Sequence, residues 1–214
     1  MQTDASKVKP ARGAEPPADI DRALAALKAG QAIVFPTETF YGVAVDALNP
    51  RALDRLLELK GRDPDKPVAL IAADLAMVTA VVKEFPPAAR RLAHKFWPGP
   101  LTIVLPARPE LSPTLTNREG GVGIRISPHP LALELARRLG SPLTATSANL
   151  AGHPPARTLG EARAVFGDAI AAYVDGGTLD GSLPSTVVAL EGERIKILRA
   201  GAISEQRVRQ ALGE

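Results

Sequence analysis

Apolar residues recur along the chain with two alternating periods, which predict helices and strands in turn. In DIDRALAALKAG, Ile20, Leu24 and Leu27 fall on one helical face, with Asp19 as the predicted N-terminal cap and Gly30 as the stop. The following QAIVFPT is a short apolar run with β-branched residues, which is typical of a buried strand. The segment TETFYGVAVDA after it is predicted to be a loop.

The same two patterns continue to the end of the chain. Further helices are predicted in PRALDRLLELKG, MVTAVVKEF, AARRLAHKF, HPLALELARRLG, TLGEARAVFG and SEQRVRQAL. Further strands are predicted in PVALIAA, LTIVLPA, VGIRIS, the start of SPLTATSANLAG, AAYVDGG, STVVAL and RIKILRAG. Because helices and strands alternate, the predicted fold class is α/β, with a twisted, mixed β-sheet flanked by helices.

The first residues differ from the rest of the chain. Residues 1–17 are rich in proline, alanine and charge and lack periodic apolar positions, so we predict a mobile tail followed by one domain over 18–214. A chain of 214 residues suits a single core. No segment approaches the roughly 20 apolar residues of a membrane span, and the start lacks the apolar run of a signal peptide. A cytoplasmic protein without a membrane partner is therefore expected.

The composition of the chain excludes or disfavours several kinds of catalytic and metal site. The chain has no cysteine and only three histidines, which rules out disulfides, thiolate metal sites and a cysteine nucleophile and disfavours zinc. The net charge of +3 weakly favours anionic ligands, although ordinary solubility explains it equally well. No histidine lies near a serine in a hydrolase motif and no carboxylate pair stands out, so acid–base hydrolysis is a poor match. Neither a Gly-rich dinucleotide fingerprint nor a P-loop occurs.

Five cationic side chains occupy positions where an anion could bind. Lys60 and Arg62 follow a predicted helix, with Lys66 close behind, and such a loop suits phosphate or carboxylate oxygens; a solvated charged loop is the alternative. Arg125 lies inside the apolar strand VGIRIS, where a charge is costly unless an ion pair or a ligand compensates it, and both explanations stay open. Arg199, at the end of RIKILRAG, poses the same question.

Small hydroxyl and amide residues follow the predicted strands. Thr37 and Thr39 flank Glu38 in PTETFYG, where the hydroxyls could bind a small polar substrate or merely cap a local turn. Ser147 and Asn149 lie where a strand passes into a glycine-containing loop, and their side chains with adjacent N–H groups could form a nest for phosphate oxygens. Cations, hydroxyls and glycines at strand ends indicate a site that positions anions and stabilises developing negative charge.

Eight segments of the chain follow one another in a recognisable order: PTETFYGVAVDA, KGRDPDKPVALIAA, FWPGPLTIVLPA, VGIRISPHP, TATSANLAG, DGG, PSTVVAL and ILRAG. Each segment alone is a weak signal. The ordered set, from about residue 28 to 203, resembles the YrdC family of threonylcarbamoyl-adenylate synthases. The resemblance implies that residues 18–214 form a YrdC-like catalytic domain, with the sheet around a large, positively lined cavity.

The resemblance also implies a reaction, that of a nucleotidyltransferase. L-threonine takes up bicarbonate to give a carbamate, which attacks the α-phosphate of ATP and displaces pyrophosphate. The product, threonylcarbamoyl-AMP, supplies the threonylcarbamoyl group of a modified tRNA adenosine, with a downstream threonylcarbamoyl transferase complex as the expected partner. Mg²⁺ is expected to bind through the phosphates, so no protein ligands to a metal are predicted.

The family's functional residues can be carried over to matching positions of this sequence. Those implied for catalysis, at the ATP phosphates and the carbamate, are Lys60, Arg62, Ser147 and Asn149. Those implied for nucleotide binding are Arg62, Lys66, Ser147, Arg199 and the backbone of Gly121. Those implied for threonine binding are Thr39, Arg125, Ser185 and the backbone of Ala145.

Two departures from the family pattern bear on the nucleotide site. GHPPAR stands where many members have a serine in the loop after Ser-Ala-Asn, and Gly121 stands where some members have a threonine. The segment that closes the cavity is expected to be the N-terminal tail or the loop 106–121.

Three other functions compete with this prediction. An RNA-binding module of the same fold without synthase activity would use a concave basic surface, but aromatic residues are scarce at 4% and no dense Lys/Arg stripe occurs. A relative that lost synthase activity would not be expected to retain Ser147 together with Lys60 and Arg62. An enzyme that uses carbamoyl phosphate is expected to need additional domains.

Overall fold

The strands of the chain form two mixed β-sheets with helices packed against them. The computed structural model describes residues 18–61, 67–150, 152–192 and 194–213. The predicted α/β class is confirmed, and the mixed strand directions are as expected. The tail predicted over residues 1–17 lies outside the described residues.

The smaller sheet has four strands in the order β7-β2-β1-β8. Their bounds are β1, Ile33–Phe35; β2, Gly42–Ala44; β7, Thr146–Ser147; and β8, Ala172–Tyr173. Strand β1 pairs antiparallel with β2 and parallel with β8. The loop predicted over TETFYGVAVDA is therefore wrong for Gly42–Ala44, because this short strand begins with glycine, a residue that is uncommon in strands.

The larger sheet has six strands in the order β10-β9-β4-β5-β3-β6. Their bounds are β3, Leu70–Ala72; β4, Leu101–Pro106; β5, Gly121–Ile126; β6, Leu143–Thr144; β9, Thr186–Glu191; and β10, Arg194–Arg199. Strand β5 lies inside the sheet, antiparallel to β4 and parallel to β3. It is buried along nearly its whole length, which accounts for the apolar residues of VGIRIS.

The two sheets meet where one segment of chain passes from the larger to the smaller. Strand β6 belongs to the six-stranded sheet and β7 to the four-stranded sheet, and Ala145 alone separates them. A single bridge between Asp46 and Leu143 adds a second connection near the same point. The residues between and beside these strands therefore face the space between the sheets.

Seven α-helices lie in the described part of the chain. They are α1, Ala18–Lys28; α2, Pro50–Lys60; α3, Leu75–Val81; α4, Pro87–Phe96; α5, Pro130–Leu139; α6, Leu159–Phe166; and α7, Glu205–Gln210. Asp19 lies inside the first turn of α1, where a carboxylate complements the helix dipole, so its prediction as the N-cap was wrong by one or two positions. Helix α2 begins after Asn49, whose side chain accepts a bond from Ala52 N, and ends at Gly61 in the left-handed region.

Two buried clusters hold these layers together. One joins α1 and α5 to β1 and contains Ile20, Leu27, Phe35 and Leu135. The other, larger cluster fills the space around β4 and β5 and under α2 and α4. None of the helices in the described ranges is long and apolar enough to cross a lipid bilayer.

Candidate active site

A cavity of about 520 Å³ lies between the two sheets. Strands of both sheets line it, including β2 and β7 of the smaller sheet and β4, β5 and β9 of the larger one. Seven of the residues predicted from the sequence line this cavity: Thr39, Gly121, Arg125, Ala145, Ser147, Ser185 and Arg199. Positions that are far apart in the sequence are thus brought to one cavity.

Alternation along β5 explains three of the lining positions. Gly121, Gly123 and Arg125 point to the cavity, whereas the residues between them belong to the buried core. A Cβ atom at Gly121 would lie 2.7 Å from Val104 Cγ1, so the threonine found here in some members could not fit without moving Val104. Glycine therefore leaves the backbone as the only group that position 121 can offer.

Arg125 is paired with a carboxylate that was not predicted as a site residue. Its Nε donates to Glu38 Oε1 at 2.9 Å, and the side chains of the two residues are only 6% and 10% exposed. The second oxygen of Glu38 accepts a hydrogen bond from Ser127 Oγ at 2.5 Å. The two explanations that the sequence left open both apply, because Arg125 forms an ion pair and also lines the cavity.

Lys60 is held at the rim beside Ser147 and Asn149. Its Nζ donates to the carbonyl of Ser147 at 2.7 Å and to the carbonyl of Asn149, and it lies 5.5 Å from the centre of the Phe166 ring. Ser147 Oγ donates to Asn149 Oδ1 at 2.5 Å. Lys60 and Asn149 thus contact the cavity-lining residue Ser147 without lining the cavity themselves among the described atoms.

The phosphate nest predicted around Ser147-Ala148-Asn149 is not formed by the two following N–H groups. Ala148 N donates to Tyr41 O at 2.8 Å, and Asn149 N donates to Ser147 O at 2.9 Å. Both donors are used inside the protein because the loop folds back against the smaller sheet. An anion at this end of the cavity would therefore be bound by side chains.

Ser185 and Arg199 contact each other on the opposite wall. Arg199 Nη2 donates to Ser185 O and to Ser185 Oγ, each at 2.9 Å. The Ser185 hydroxyl also shares a hydrogen bond of 2.9 Å with Thr102 Oγ1. The family resemblance implies that Ser185 binds threonine and that Arg199 binds the nucleotide, and their contact implies that the two predicted subsites are adjacent.

Backbone and hydroxyl groups near β1 and β6 complete the wall. Ala145 N donates to Ala69 O at 2.7 Å, which leaves the carbonyl as the group that a ligand could contact. Thr37 Oγ1 donates to Phe40 O at 2.7 Å, which is the local turn considered as the alternative for this residue. Thr39 Oγ1 lies 3.1 Å from Thr37 Oγ1, so its hydroxyl is held at the cavity edge.

Sequence reasoning missed three features in the wall or directly behind it. Glu38 stood between the two threonines without an assigned role, and nothing in the sequence showed that it meets Arg125. Asn117 lines the cavity while its Oδ1 accepts from Gly121 N at 2.7 Å, so its amide group borders the predicted nucleotide position. Gly181 packs against the backbone of Thr39, and Ser182 lines the cavity, although Ser185 alone had been considered in this segment.

The charge of the lining explains which ligands it suits. Of the described residues that line the cavity, Arg125 and Arg199 are the charged ones, and none is acidic. The remaining polar groups are mainly threonine and serine hydroxyls. Arg62 and Lys66, predicted for the phosphates, lie outside the described residues. Such a lining suits a ligand with carboxylate or phosphate groups.

Two titratable side chains near the site have shifted pKa values. Burial lowers the pKa of His129 below its ordinary value, although the Glu38 carboxylate acts in the opposite direction. Burial also raises the pKa of Tyr41, whose hydroxyl donates to Gly177 O at 2.8 Å and accepts from Gly176 N at 2.9 Å. At neutral pH both side chains are therefore uncharged.

No group of three or more histidine, aspartate or glutamate residues that could hold a metal ion occurs in the described part.

Comparison with protein families places this architecture among known ones. A family model for the Sua5, YciO and YrdC proteins, described as "Telomere recombination", matches residues 25–201. A protein of Mycobacterium tuberculosis strain H37Rv is 39% identical over 191 residues, which cover 89% of this chain and 88% of that protein. A threonylcarbamoyl-AMP synthase of Klebsiella pneumoniae is 41% identical over 177 residues, 81% of this chain and 93% of the enzyme.

Solved structures agree with this placement. Sua5 of Pyrococcus abyssi in complex with L-threonine superposes with a TM-score of 0.87 at 33% identity, over 91% of this chain and 57% of that one. The chain therefore spans little more than half the length of this longer protein. YciO of Escherichia coli has the same fold, with a TM-score of 0.76 at 24% identity over 85% of this chain and 88% of that one.

Proposed function

The chain belongs to the Sua5/YciO/YrdC family, and from that membership we propose that it is a threonylcarbamoyl-AMP synthase. In the proposed reaction, the amine of L-threonine and bicarbonate form a carbamate with loss of water. A carbamate oxygen then bonds to the α-phosphorus of ATP, and the bond to pyrophosphate breaks. The enzyme would thus be a nucleotidyltransferase, and we assign the activity to residues 18–214.

One observation carries the proposal. The cavity between the sheets is lined by two arginines and several hydroxyls, and by no acidic residue among those described. Joining a carbamate to a triphosphate brings two anions together, and cations must offset their repulsion before the oxygen can attack. Losing one such stabilising contact typically costs about 3 kcal/mol in the transition state. The lining therefore suits the proposed reaction better than hydrolysis.

The walls suggest where each substrate would bind. The threonine carboxylate would be bound by Arg125, with Thr39, Ser185 and the Ala145 carbonyl around the rest of this substrate. The triphosphate would extend past Gly121 and Arg199 to Ser147. Lys60 and Asn149 would support that end, together with Arg62 and Lys66. The first group meets the second at Ser185 and Arg199, which brings the carbamate to the α-phosphate.

Mg²⁺ is proposed as a companion of the nucleotide. Since no described lining residue carries a carboxylate, its ligands would be phosphate oxygens and water. The ion would neutralise part of the triphosphate charge. The protein's own contribution would be to orient the nucleotide with Arg199 and Lys60.

The decisive experiment measures pyrophosphate release with each substrate omitted in turn. The proposal predicts release from ATP only when L-threonine and bicarbonate are both present. Release that does not depend on threonine would contradict it.

Because the proposed substrates are cytoplasmic metabolites, we also propose a cytoplasmic location. A downstream threonylcarbamoyl transferase complex would consume the product.

A second activity, direct tRNA binding, is favoured by a separate surface. A groove of about 770 Å³ between α4 and α7 is lined by no acidic residue of the described chain and by four cations, Arg90, Arg91, Lys95 and Arg207, with His94 beside them. Surfaces usually mix both signs, and a single-sign groove suits a phosphate backbone. This groove lies outside the set of residues that line the cavity, so the two activities could coexist.

Charge reversal tests the groove. The double variant Lys95→Glu/Arg207→Glu is expected to bind tRNA more weakly and to reduce the slope of log affinity against log salt by about 2. Arg22→Glu/Lys28→Glu, which makes the same change of charge on the exposed face of α1, is the control and should bind as the unaltered chain does. Equal weakening by both variants would show only a general charge effect and would contradict a site in the groove.

A further inference from the structure

Glu38 approaches the guanidinium of Arg125 from outside the candidate active site. Thr37 and Thr39 line the 520 Å³ cavity, but Glu38 between them is not among its described lining residues. Glu38 instead lines a neighbouring cavity of about 510 Å³, together with His129 and others. Thr37 and Thr39 line this second cavity as well, so the turn formed by residues 37–40 lies between the two cavities.

The ion pair with Glu38 occupies the Nε side of the Arg125 guanidinium and leaves the edge formed by Nη1 and Nη2 available. Glu38 Oε1 accepts from Arg125 Nε, and the described residues give Arg125 no other hydrogen-bond partner. Every buried side-chain nitrogen in the described part of the chain has a hydrogen-bond partner. Nη1 and Nη2 of Arg125 must therefore reach accessible surface, and Arg125 lines the 520 Å³ cavity. The edge formed by these two nitrogens can bind a carboxylate with two parallel hydrogen bonds.

The carboxylate of Glu38 is itself held in place by Ser127. Its second oxygen accepts from Ser127 Oγ at 2.5 Å, and Ser127 is fully buried two residues beyond Arg125. A buried guanidinium without a counter-charge is strongly destabilised, and a long arginine side chain has many rotamers. The contacts from Ser127 through Glu38 to Arg125 supply the counter-charge and fix the arginine rotamer before any substrate binds.

We propose that Glu38 is a positioning residue for L-threonine. It holds Arg125 through Nε and so presents the Nη1–Nη2 edge to the carboxylate of the amino acid. Glu38 does not touch the substrate and acts only through Arg125. This role rests on the proposed function, because it assumes that threonine is the ligand of Arg125.

The test measures the binding of L-threonine and of ATP separately, by calorimetry on the whole chain. Glu38→Gln keeps the size of the side chain but removes its charge, so the Kd of threonine is expected to rise about 10-fold or more while the Kd of ATP changes little. Ser127→Ala is expected to raise the threonine Kd by a smaller factor. Glu134→Gln, the same exchange on the surface of α5, is the matched control and should leave both constants unchanged.

A double-mutant cycle separates positioning from a general structural effect. Since Glu38 acts through Arg125, Glu38→Gln is expected to have no further effect on threonine binding in an Arg125→Ala chain. Independent, additive losses would overturn the proposal, as would equal weakening of threonine and ATP. If Glu38→Gln does not fold, Ser127→Ala and Glu38→Asp carry the same comparison, and unchanged threonine binding in both would overturn it.

The outcomes also distinguish this role from the proposed function. Failure of the unaltered chain to bind threonine would contradict the proposed function itself. Normal threonine binding by the unaltered chain, with the same affinity in Glu38→Gln, would contradict the role of Glu38 alone.

Discussion

At the scale of single residues, Gly181 makes a contact that leaves no space for a side chain. A Cβ atom at this position would lie 1.8 Å from the carbonyl oxygen of Thr39. This backbone contact seals the wall beside the predicted threonine subsite. Gly181→Ala is expected to push the two segments apart, to cost about 1–3 kcal/mol of unfolding free energy and to weaken threonine binding. Urea denaturation and a threonine titration measure the two effects.

A second glycine provides the control for this substitution. Gly160 lies in α6, and the nearest atom to a Cβ built there is 3.9 Å away. Gly160→Ala should leave threonine binding unchanged and slightly increase stability, since alanine favours a helix more than glycine does. Equal effects of the two substitutions would contradict the importance of the contact with Thr39.

The stability that His129 contributes at the N-terminus of α5 depends on pH. It is the N-cap of α5, and its Nδ1 accepts from Leu131 N at 3.3 Å, which requires an unprotonated nitrogen. Burial lowers the pKa of His129, and Glu38 nearby only partly opposes the shift. Because the unfolded chain then binds the proton more tightly, the stability contributed by neutral His129 is complete above about pH 6.5 and is lost as pH falls through the lowered pKa.

The expected loss can be isolated by a substitution that caps the helix without titrating. Asparagine is a good N-cap, so His129→Asn should lose less stability than the unaltered chain between about pH 7.5 and 5.5 in urea unfolding experiments. Carboxylates that titrate in this range are the same in both proteins. Identical losses would show that His129 does not contribute.

At the scale of elements, helix α6 is defined by a local signal that can be tested directly. Thr158 Oγ1 accepts from Glu161 N at 3.2 Å, and Glu161 Oε2 accepts from Thr158 N at 3.4 Å, which together form a capping box. Thr158→Ala is expected to cost about 1 kcal/mol. Thr158→Ser keeps the hydroxyl and should retain most of the stability, and thermal unfolding compares the two.

Local signals of this kind are the reason why most elements could be predicted from the sequence. Periodic apolar faces and terminal glycines identified all seven helices of the described chain, and short apolar runs identified the long strands. Strand β2 was not predicted because it begins with Gly42, and glycine is uncommon in strands. The pairing of Glu38 with Arg125 was not predicted for a different reason. The two residues are 87 positions apart, and no local sequence pattern indicates which buried charges form an ion pair.

The site shows the same division. Alternation along VGIRIS predicts that Arg125 shares a face with Gly123 and Ser127, and the structure places Arg125 and Gly123, though not Ser127, on the cavity. The phosphate nest was expected from residue types alone, and the loop instead uses its N–H groups internally. Roles such as those of Lys60 and Arg199 came from the family resemblance, since their residue types fit a solvated surface equally well.

At the scale of the whole molecule, the cavity joins the two sheets into one thermodynamic unit. The sheets meet through Ala145, and a ligand between them would contact both. ATP at about 100 times its Kd should therefore raise the unfolding free energy by about 2.7 kcal/mol. Because folding and binding are coupled across the junction, amide exchange should slow in β2 of the smaller sheet as well as in β5 of the larger one. Protection confined to one sheet would mean that the nucleotide binds outside the space between them, since a ligand held by both sheets must be released before either can open.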